Sequence, residues 1–166
     1  YDILYSASAD GTVRANDIVT GQCLLEFIGH DGAILSMAEY DDLLYTGSAD
    51  NTIKCWDRLR GKCLHTFEGH TDSIRTMQIV DCILFTGSSD KSVKAWGVKT
   101  KKLHGSYEGH GGPITCSTIS KDTLYTGSAD GTIRFWELGD KAHYIVGEKC
   151  FVYEHSTQDE IIHVKL

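Results

Sequence analysis

Residues Leu43 to Asp57 read LLYTGSADNTIKCWD, and that reading recurs every forty residues: ILYSASADGTVRAND over 3–17, ILFTGSSDKSVKAWG over 83–97 and TLYTGSADGTIRFWE over 123–137. In each copy an apolar-aromatic run, such as Leu43, Leu44 and Tyr45, suits a half-buried strand. A cluster of Gly, Ser, Ala and Asp then makes a tight turn, and Thr52-Ile53-Lys54-Cys55-Trp56 alternates outward and inward as a second strand. The unit is a β-hairpin. Asp10-Gly11 and Asp130-Gly131 are strong two-residue turn signals because those residue types tolerate positive φ, whereas Asp50-Asn51 is weaker and Asp90-Lys91 weaker still. The four positions are expected to share a turn, with its type left open.

Outward from the hairpins, two further strands complete each unit. Gln22 to Phe27 leads to Gly29-His30, then Ile34 to Glu39; Lys62 to Phe67 leads to Gly69-His70, then Ile74 to Ile79; Leu103 to Tyr107 leads to Gly109-His110, then Ile114 to Ile119. The chain is all-β, in units of roughly 1–28 (partial), 29–68, 69–108 and 109–153, with 154–166 starting a further one. The spacing slips after Trp136: Cys63 follows Trp56 by seven residues, but Cys150 follows Trp136 by fourteen. Residues 138–148 therefore read as an enlarged turn, Glu154-His155 as a degraded Gly-His, and Ile161 to Leu166 as a first strand.

A chain of 166 residues, 41% hydrophobic, would ordinarily be one domain. The repeat overrides that default, because a forty-residue unit cannot cover its own apolar faces and must stack on neighbours. A formal charge of −7 argues against nucleic-acid or anionic-membrane binding and makes basic partners easier to accommodate. No apolar run is long enough to span a bilayer as a helix. Six cysteines, without a C-x-x-C or C-x-C pair, read as free, mostly buried thiols of a reducing compartment, cytoplasmic or nuclear, and not as a metal site. No cofactor is expected. Tyr1-Asp2-Ile3 shows neither initiator Met nor signal-peptide pattern, which reads as the interior of something longer.

Gly-His about two dozen residues before Trp-Asp, with a Gly-Ser-x-Asp turn between, resembles the WD-repeat family of β-propellers over residues 1–137 and more weakly to 166. The resemblance implies four-stranded antiparallel blades set around a channel. It also implies structural hydrogen-bond tetrads: His30, Ser48, Asp50 and Trp56; His70, Ser88, Asp90 and Trp96; and His110, Ser128, Asp130 and Trp136. The sequence departs from the pattern at Asn16, which stands in place of a Trp, and at Gly97 and Glu137, which stand where Asp17 and Asp57 keep the acid. About four units, some incomplete, suit part of a larger propeller; a four-bladed ring closed by 161–166, or completion by blades of another chain, are the alternatives.

Recurring His, Ser and Asp invite a hydrolase reading, since a nucleophilic Ser needs a His base and an orienting Asp. A catalytic constellation occurs once, whereas this one recurs with a Trp attached, so the reading is structural and no catalytic residue is assigned. His65, His104, His143 and His163 lack ligand spacing, and Lys99, Lys101 and Lys102 form a small solvated basic turn. Binding is where the repeat points, through loops on a rigid scaffold. The loops are Asp31-Gly32-Ala33, Thr71-Asp72-Ser73 and Gly111-Gly112-Pro113. In the resembled family, partners also touch the residue before the turn Asp, here Ala9, Ala49, Ser89 and Ala129, and the second residue of the first strand, here Leu35, Arg75 and Thr115. The expected function is a non-enzymatic scaffold for protein or peptide partners. A substrate adaptor of a ubiquitin ligase is the alternative, weakened because Arg75 is the only arginine among these positions and phosphate recognition wants several. A propeller attached to a catalytic domain outside the segment is the alternative from another class.

Overall fold

The computed structural model describes residues 2–138 and the backbone of 150–154. Every regular element among them is a strand. The chain divides into two compact units, Tyr1–Ile74 and Arg75–Leu166.

In the first unit, β1 (Ile3–Ala7), β2 (Val13–Asp17) and β3 (Cys23–Phe27) form one antiparallel sheet in chain order. The second sheet is β4 (Ile34–Tyr40), β5 (Leu43–Ser48), β6 (Ile53–Asp57) and β7 (Cys63–Phe67), again in chain order. Beyond the unit boundary after Ile74, the pattern repeats with β8 (Ile74–Val80), β9 (Ile83–Ser88), β10 (Val93–Gly97) and β11 (Leu103–Tyr107). The last sheet is β12 (Ile114–Ser120), β13 (Thr123–Ser128), β14 (Thr132–Glu137) and β15 (Cys150–Glu154). His155, the residues of the enlarged turn after Leu138, and the strand read over 161–166 lie outside the described residues.

Burial explains the order. β5 and β9, second in their sheets, are buried almost throughout, which accounts for their continuous apolar runs. In the first unit Val13, Ala15 and Phe27 pack with Ile34, Leu44 and Trp56 of the next sheet. Phe27 meets the Trp56 indole edge-on at a centroid distance of 5.9 Å. The second unit repeats the contact with Tyr107 and Trp136 at 5.6 Å, among Phe85, Val93, Ile114, Leu124 and Leu138. Trp56 and Trp136 therefore each join their own sheet to the last strand of the sheet before it.

The five described cysteines are free, but only Cys55 is buried; Cys23 and Cys116 are exposed. The thiols are thus less buried than their strand positions suggest. Cys23 lies on an outermost strand, which has no further strand to cover it.

The hairpin turns share a type after all. Gly11, Asn51, Lys91 and Gly131 each have positive φ, at 85°, 71°, 72° and 82°, while the preceding Asp does not. In each case the positive-φ residue donates its N–H to a serine carbonyl three residues back, at 3.1–3.3 Å for Ser8, Ser48, Ser88 and Ser128. The loop is a three-residue turn closing on a left-handed residue, not the two-residue turn suggested by Asp-Gly. Lys91 occupies that conformation without a stabilising glycine. Lys91→Gly is therefore expected to raise the unfolding free energy by about 1 kcal/mol, read as a higher denaturant midpoint at an unchanged m-value.

Candidate functional site

The polar interior of the second sheet is built around Trp56. Its Nε1–H can only donate, and it reaches Thr46 Oγ1 at 2.8 Å. His30 Nε2 meets the same oxygen at 2.7 Å, and His30 Nδ1 lies 2.7 Å from Asp50 Oδ2. One assignment satisfies all four groups. The indole N–H donates to Thr46, the Thr46 hydroxyl donates to Nε2, and Nδ1–H donates to the carboxylate. The second unit reproduces the chain: Trp136 to Thr126 at 2.9 Å, Thr126 to His110 at 2.9 Å, and His110 to Asp130 at 2.9 Å.

Asp50 also organises backbone. Oδ1 accepts from the Thr52 N–H at 2.8 Å and from its hydroxyl at 2.6 Å, holding the hairpin turn. Oδ2 accepts from the Asp31 N–H at 3.0 Å, holding the loop before β4. Asp130 does the same for Thr132 and for the Gly111 N–H. The loops lie so close that a Cβ on Gly32 would stand 2.9 Å from Asp50 N, and one on Gly112 2.8 Å from Asp130 N. The Ala49 N–H donates to Ala33 O at 2.8 Å and the Ala129 N–H to Pro113 O at 2.9 Å, which completes the clamp.

The hydroxyl between imidazole and indole belongs to Thr46, not to Ser48. Ser48 is equally buried, but its hydroxyl donates to Gly32 O at 3.0 Å and accepts from the Asp50 N–H at 3.1 Å. Both residues face the same side of β5, two apart. Thr46 lies deeper along the strand, within reach of the Trp56 indole, while Ser48 sits where strand becomes turn. Thr126 and Ser128 divide the roles in the same way. In the intervening set His70 belongs to the first unit and Ser88, Asp90 and Trp96 to the second. Within the second, Trp96 donates to Thr86 at 2.8 Å and Asp90 accepts from Ser92. Asp17 and Asp57, one residue further on, cap the next turns by accepting from Val19, Thr20, Leu59 and Arg60 N–H groups.

Burial pushes the His30 imidazole below its ordinary pKa, against the opposing pull of the Asp50 carboxylate. Burial alone would raise Asp50, but hydrogen bonds from Thr52 and His30 prevail and hold it at about 2. Asp130 is likewise lowered, with burial outweighed by Thr132 and His110. His30 is therefore neutral and Asp50 ionised near neutral pH.

This arrangement is not that of a serine hydrolase. The Nε2 that would serve as base is occupied by a fully buried threonine, and the serine turns to the loop backbone. Of the other histidines, His65 packs edge-on against Phe67 at 4.6 Å and His104 Nε2 meets Thr100 Oγ1 at 2.9 Å; His143 and His163 lie outside the described residues. Of the basic turn, Lys99 and Lys102 are solvent-exposed and Lys101 is half-buried. Among the described residues no cluster of His, Cys, Asp or Glu could hold a metal ion.

Asp31, Leu35, Ala49, Thr115 and Ala129 sit on or beside the two clamped loops, and Asp72, Ser73 and Arg75 on or beside the loop at 71–73. Asp31, Ala49, Asp72, Arg75, Thr115 and Ala129 are exposed, Ser73 is half-buried, and Leu35 is 43% exposed. Leu35 and Thr115 face outward because each is the extra residue of a β-bulge: Ile34 pairs with Ser48 and Ser36 with Gly47, and Ile114 pairs with Ser128 and Cys116 with Gly127. Ser89 is buried, so it is not itself a contact surface; its hydroxyl accepts from Arg75 Nε and orients that guanidinium.

Four-stranded antiparallel sheets, a Trp-Thr-His-Asp chain and forty-residue spacing define a class of repeat protein whose sheets stack as blades. The chain matches the WD40 family, described as WD domain, G-beta repeat, over residues 21–57, 61–97 and 101–137, and it belongs to that family. Each matched stretch runs from the outermost strand of one sheet through the first three strands of the next. Among solved structures it is similar to the computationally designed Ika8 protein, with 35% identity, TM-score 0.78, and 90% of this chain and 46% of that one covered. It is similar also to the computationally designed Ika4 protein, with 30% identity, TM-score 0.78, and coverage of 84% and 87%. The RRP9 WD40 repeats share the fold at 24% identity and TM-score 0.79, with coverage of 92% and 47%. The chain thus spans about half the length of the Ika8 and RRP9 structures. No curated protein sequence gives a match. WD40 repeats are a protein-interaction scaffold, and the family is generally non-catalytic.

Two predictions test the polar chain. Thr46→Val should cost about 2–4 kcal/mol, because two buried groups lose their partner, whereas Ser48→Ala should cost about 1 kcal/mol; denaturant unfolding of both variants decides between the two hydroxyls. Because the unfolded chain takes up a proton at His30 that the folded chain resists, stability should fall as pH drops below the ordinary imidazole value of 6.5. A second loss follows as pH falls from 3.8 towards about 2, where Asp50 of the unfolded chain takes up a proton while the folded carboxylate stays ionised. Unfolding midpoints measured against pH should show both steps, the first reduced in His30→Gln.

Proposed function

We propose that the chain is a non-enzymatic scaffold that binds protein or peptide partners through its loop faces, in the cytoplasm or nucleus. The observation that carries this reading is the clamp: Asp50 and Asp130 tie the loops at Asp31 and Gly111 to the hairpin turns. Loops already held in place lose little conformational entropy on binding, so more of the contact energy appears as affinity. Leu35 and Thr115 are turned outward by bulges beside those loops, and Arg75 is oriented by Ser89.

The exposed inventory favours a mixed peptide surface. A phosphorylated peptide would call for several guanidinium groups, and Arg75 is the only arginine at these positions. Free thiols at all five described cysteines support a reducing compartment.

Arg75→Glu in the intact protein should weaken at least one co-purifying partner by about tenfold or more, the size expected when one interface charge is reversed, without moving the melting temperature. Retention of every partner at unchanged affinity by Arg75→Glu and by Leu35→Asp would reject binding through the loop surfaces.

A further inference from the structure

The repeat supplies an internal control for every seam between neighbouring sheets. In the second unit, the seam between the sheet of β9 and the sheet of β12 is filled by Ile83, Phe85, Ile119 and Leu138. Eighty residues earlier, the same places hold Ile3, Tyr5, Glu39 and Arg58. Three apolar residues have become polar together, and the seam is open. Asp2, Ile3, Tyr5, Ile18, Glu39 and Arg58 line a cavity of about 340 Å³. It lies beside the turns after β2 and β6, away from the clamped loops.

The cavity has definite chemistry. Ile3, Ile18 and the Tyr5 ring supply apolar wall. The Tyr5 hydroxyl is buried and has no hydrogen-bond partner, a cost that Phe85 avoids at the corresponding place. Arg58 is already neutralised: it pairs with Glu39, and its second terminal nitrogen lies 3.6 Å from Asp42. Asp2 pairs with no cation among the described residues. Two carboxylates therefore already outnumber the one guanidinium, and Asp2 adds to the negative excess. Next in sequence to the lining residues Ile18 and Arg58, Val19 and Leu59 are 85% and 65% exposed.

We propose that this seam receives a lysine or arginine side chain of a basic partner segment. The aliphatic stem lies against Ile3, Ile18 and the Tyr5 ring, and the cationic head meets Asp2, with Glu39 on the opposite wall. Flanking apolar residues of the partner rest on Val19 and Leu59. The net charge of −7 attracts such a segment to the molecule as a whole. This surface is separate from the loop face, and neither reading requires the other.

The test follows the isoleucine methyl resonances of the intact protein during titration with N-acetyl-lysine N-methylamide. Parallel titrations use the corresponding norleucine and glutamate compounds. Saturable shifts at Ile3 and Ile18 are expected with the lysine probe, much weaker ones with norleucine and none with glutamate. Asp2→Asn should weaken the lysine response by about threefold, as for loss of one exposed ion pair. A closing variant, Tyr5→Phe with Glu39→Ile and Arg58→Leu, copies the filled seam and should abolish the response while raising the melting temperature. Equal response to norleucine, response to glutamate instead, no response at Ile3 and Ile18, or a response that survives the closing variant would each overturn the proposal.

Discussion

A buried tryptophan N–H can donate but never accept, and that one-sidedness propagates through the structure. The direction is fixed from both ends: the ionised Asp50 can only accept, so it takes Nδ1–H of the neutral His30, Nε2 is left to accept the Thr46 proton, and the Thr46 oxygen accepts the indole N–H, while the carboxylate also gathers backbone N–H groups from loop and turn. A packing residue at the junction of two sheets thereby dictates the position of a surface loop. The same sequence of donations runs from Trp136 to Gly111. Hydrophobic burial and polar satisfaction are one device here, since the indole that fills the seam against Phe27 also begins the chain.

Repetition makes departures informative. Where a position changes alone, as at Lys91 in a turn that elsewhere uses Gly or Asn, the cost is local and borne by backbone strain. Where several positions change together around one seam, the result is a space with its own chemistry. The contrast between Phe85, Ile119 and Leu138 on one side and Tyr5, Glu39 and Arg58 on the other is of the second kind. An orphaned hydroxyl is costly to keep in a repeat whose other copy shows how to fill the space.

Function on such a scaffold comes from what the rigid parts leave exposed. The bulges at Leu35 and Thr115 matter for that reason. Inserting one residue into the innermost strand turns a side chain away from the sheet without disturbing the pairs on either side. Arg75 gains direction differently, through the buried Ser89 hydroxyl. The loop surface of each unit is thus furnished by small irregularities in regular strands, while the clamped turns supply stiffness.

The forty-residue period, the hairpins, the loops between sheets and the His, Asp and Trp of each polar chain were legible in the amino-acid sequence. Alternation and turn chemistry act over a few residues and so leave a local trace. The bridging hydroxyl was not legible. Thr46 and Ser48 share a strand face, and only the depth of the neighbouring indole decides which one it reaches. The turn type was hidden as well, because Asp-Gly suits either turn and backbone pairing across the hairpin makes the choice. The bulges escaped notice since register is a property of two strands, not one. The open seam lay furthest from sequence reasoning: Tyr5, Glu39 and Arg58 come from three strands or turns, and whether they enclose space depends on how two sheets pack. Sequence by itself determined what could be decided within a few residues, and tertiary structure decided whatever required side chains from separate strands to meet.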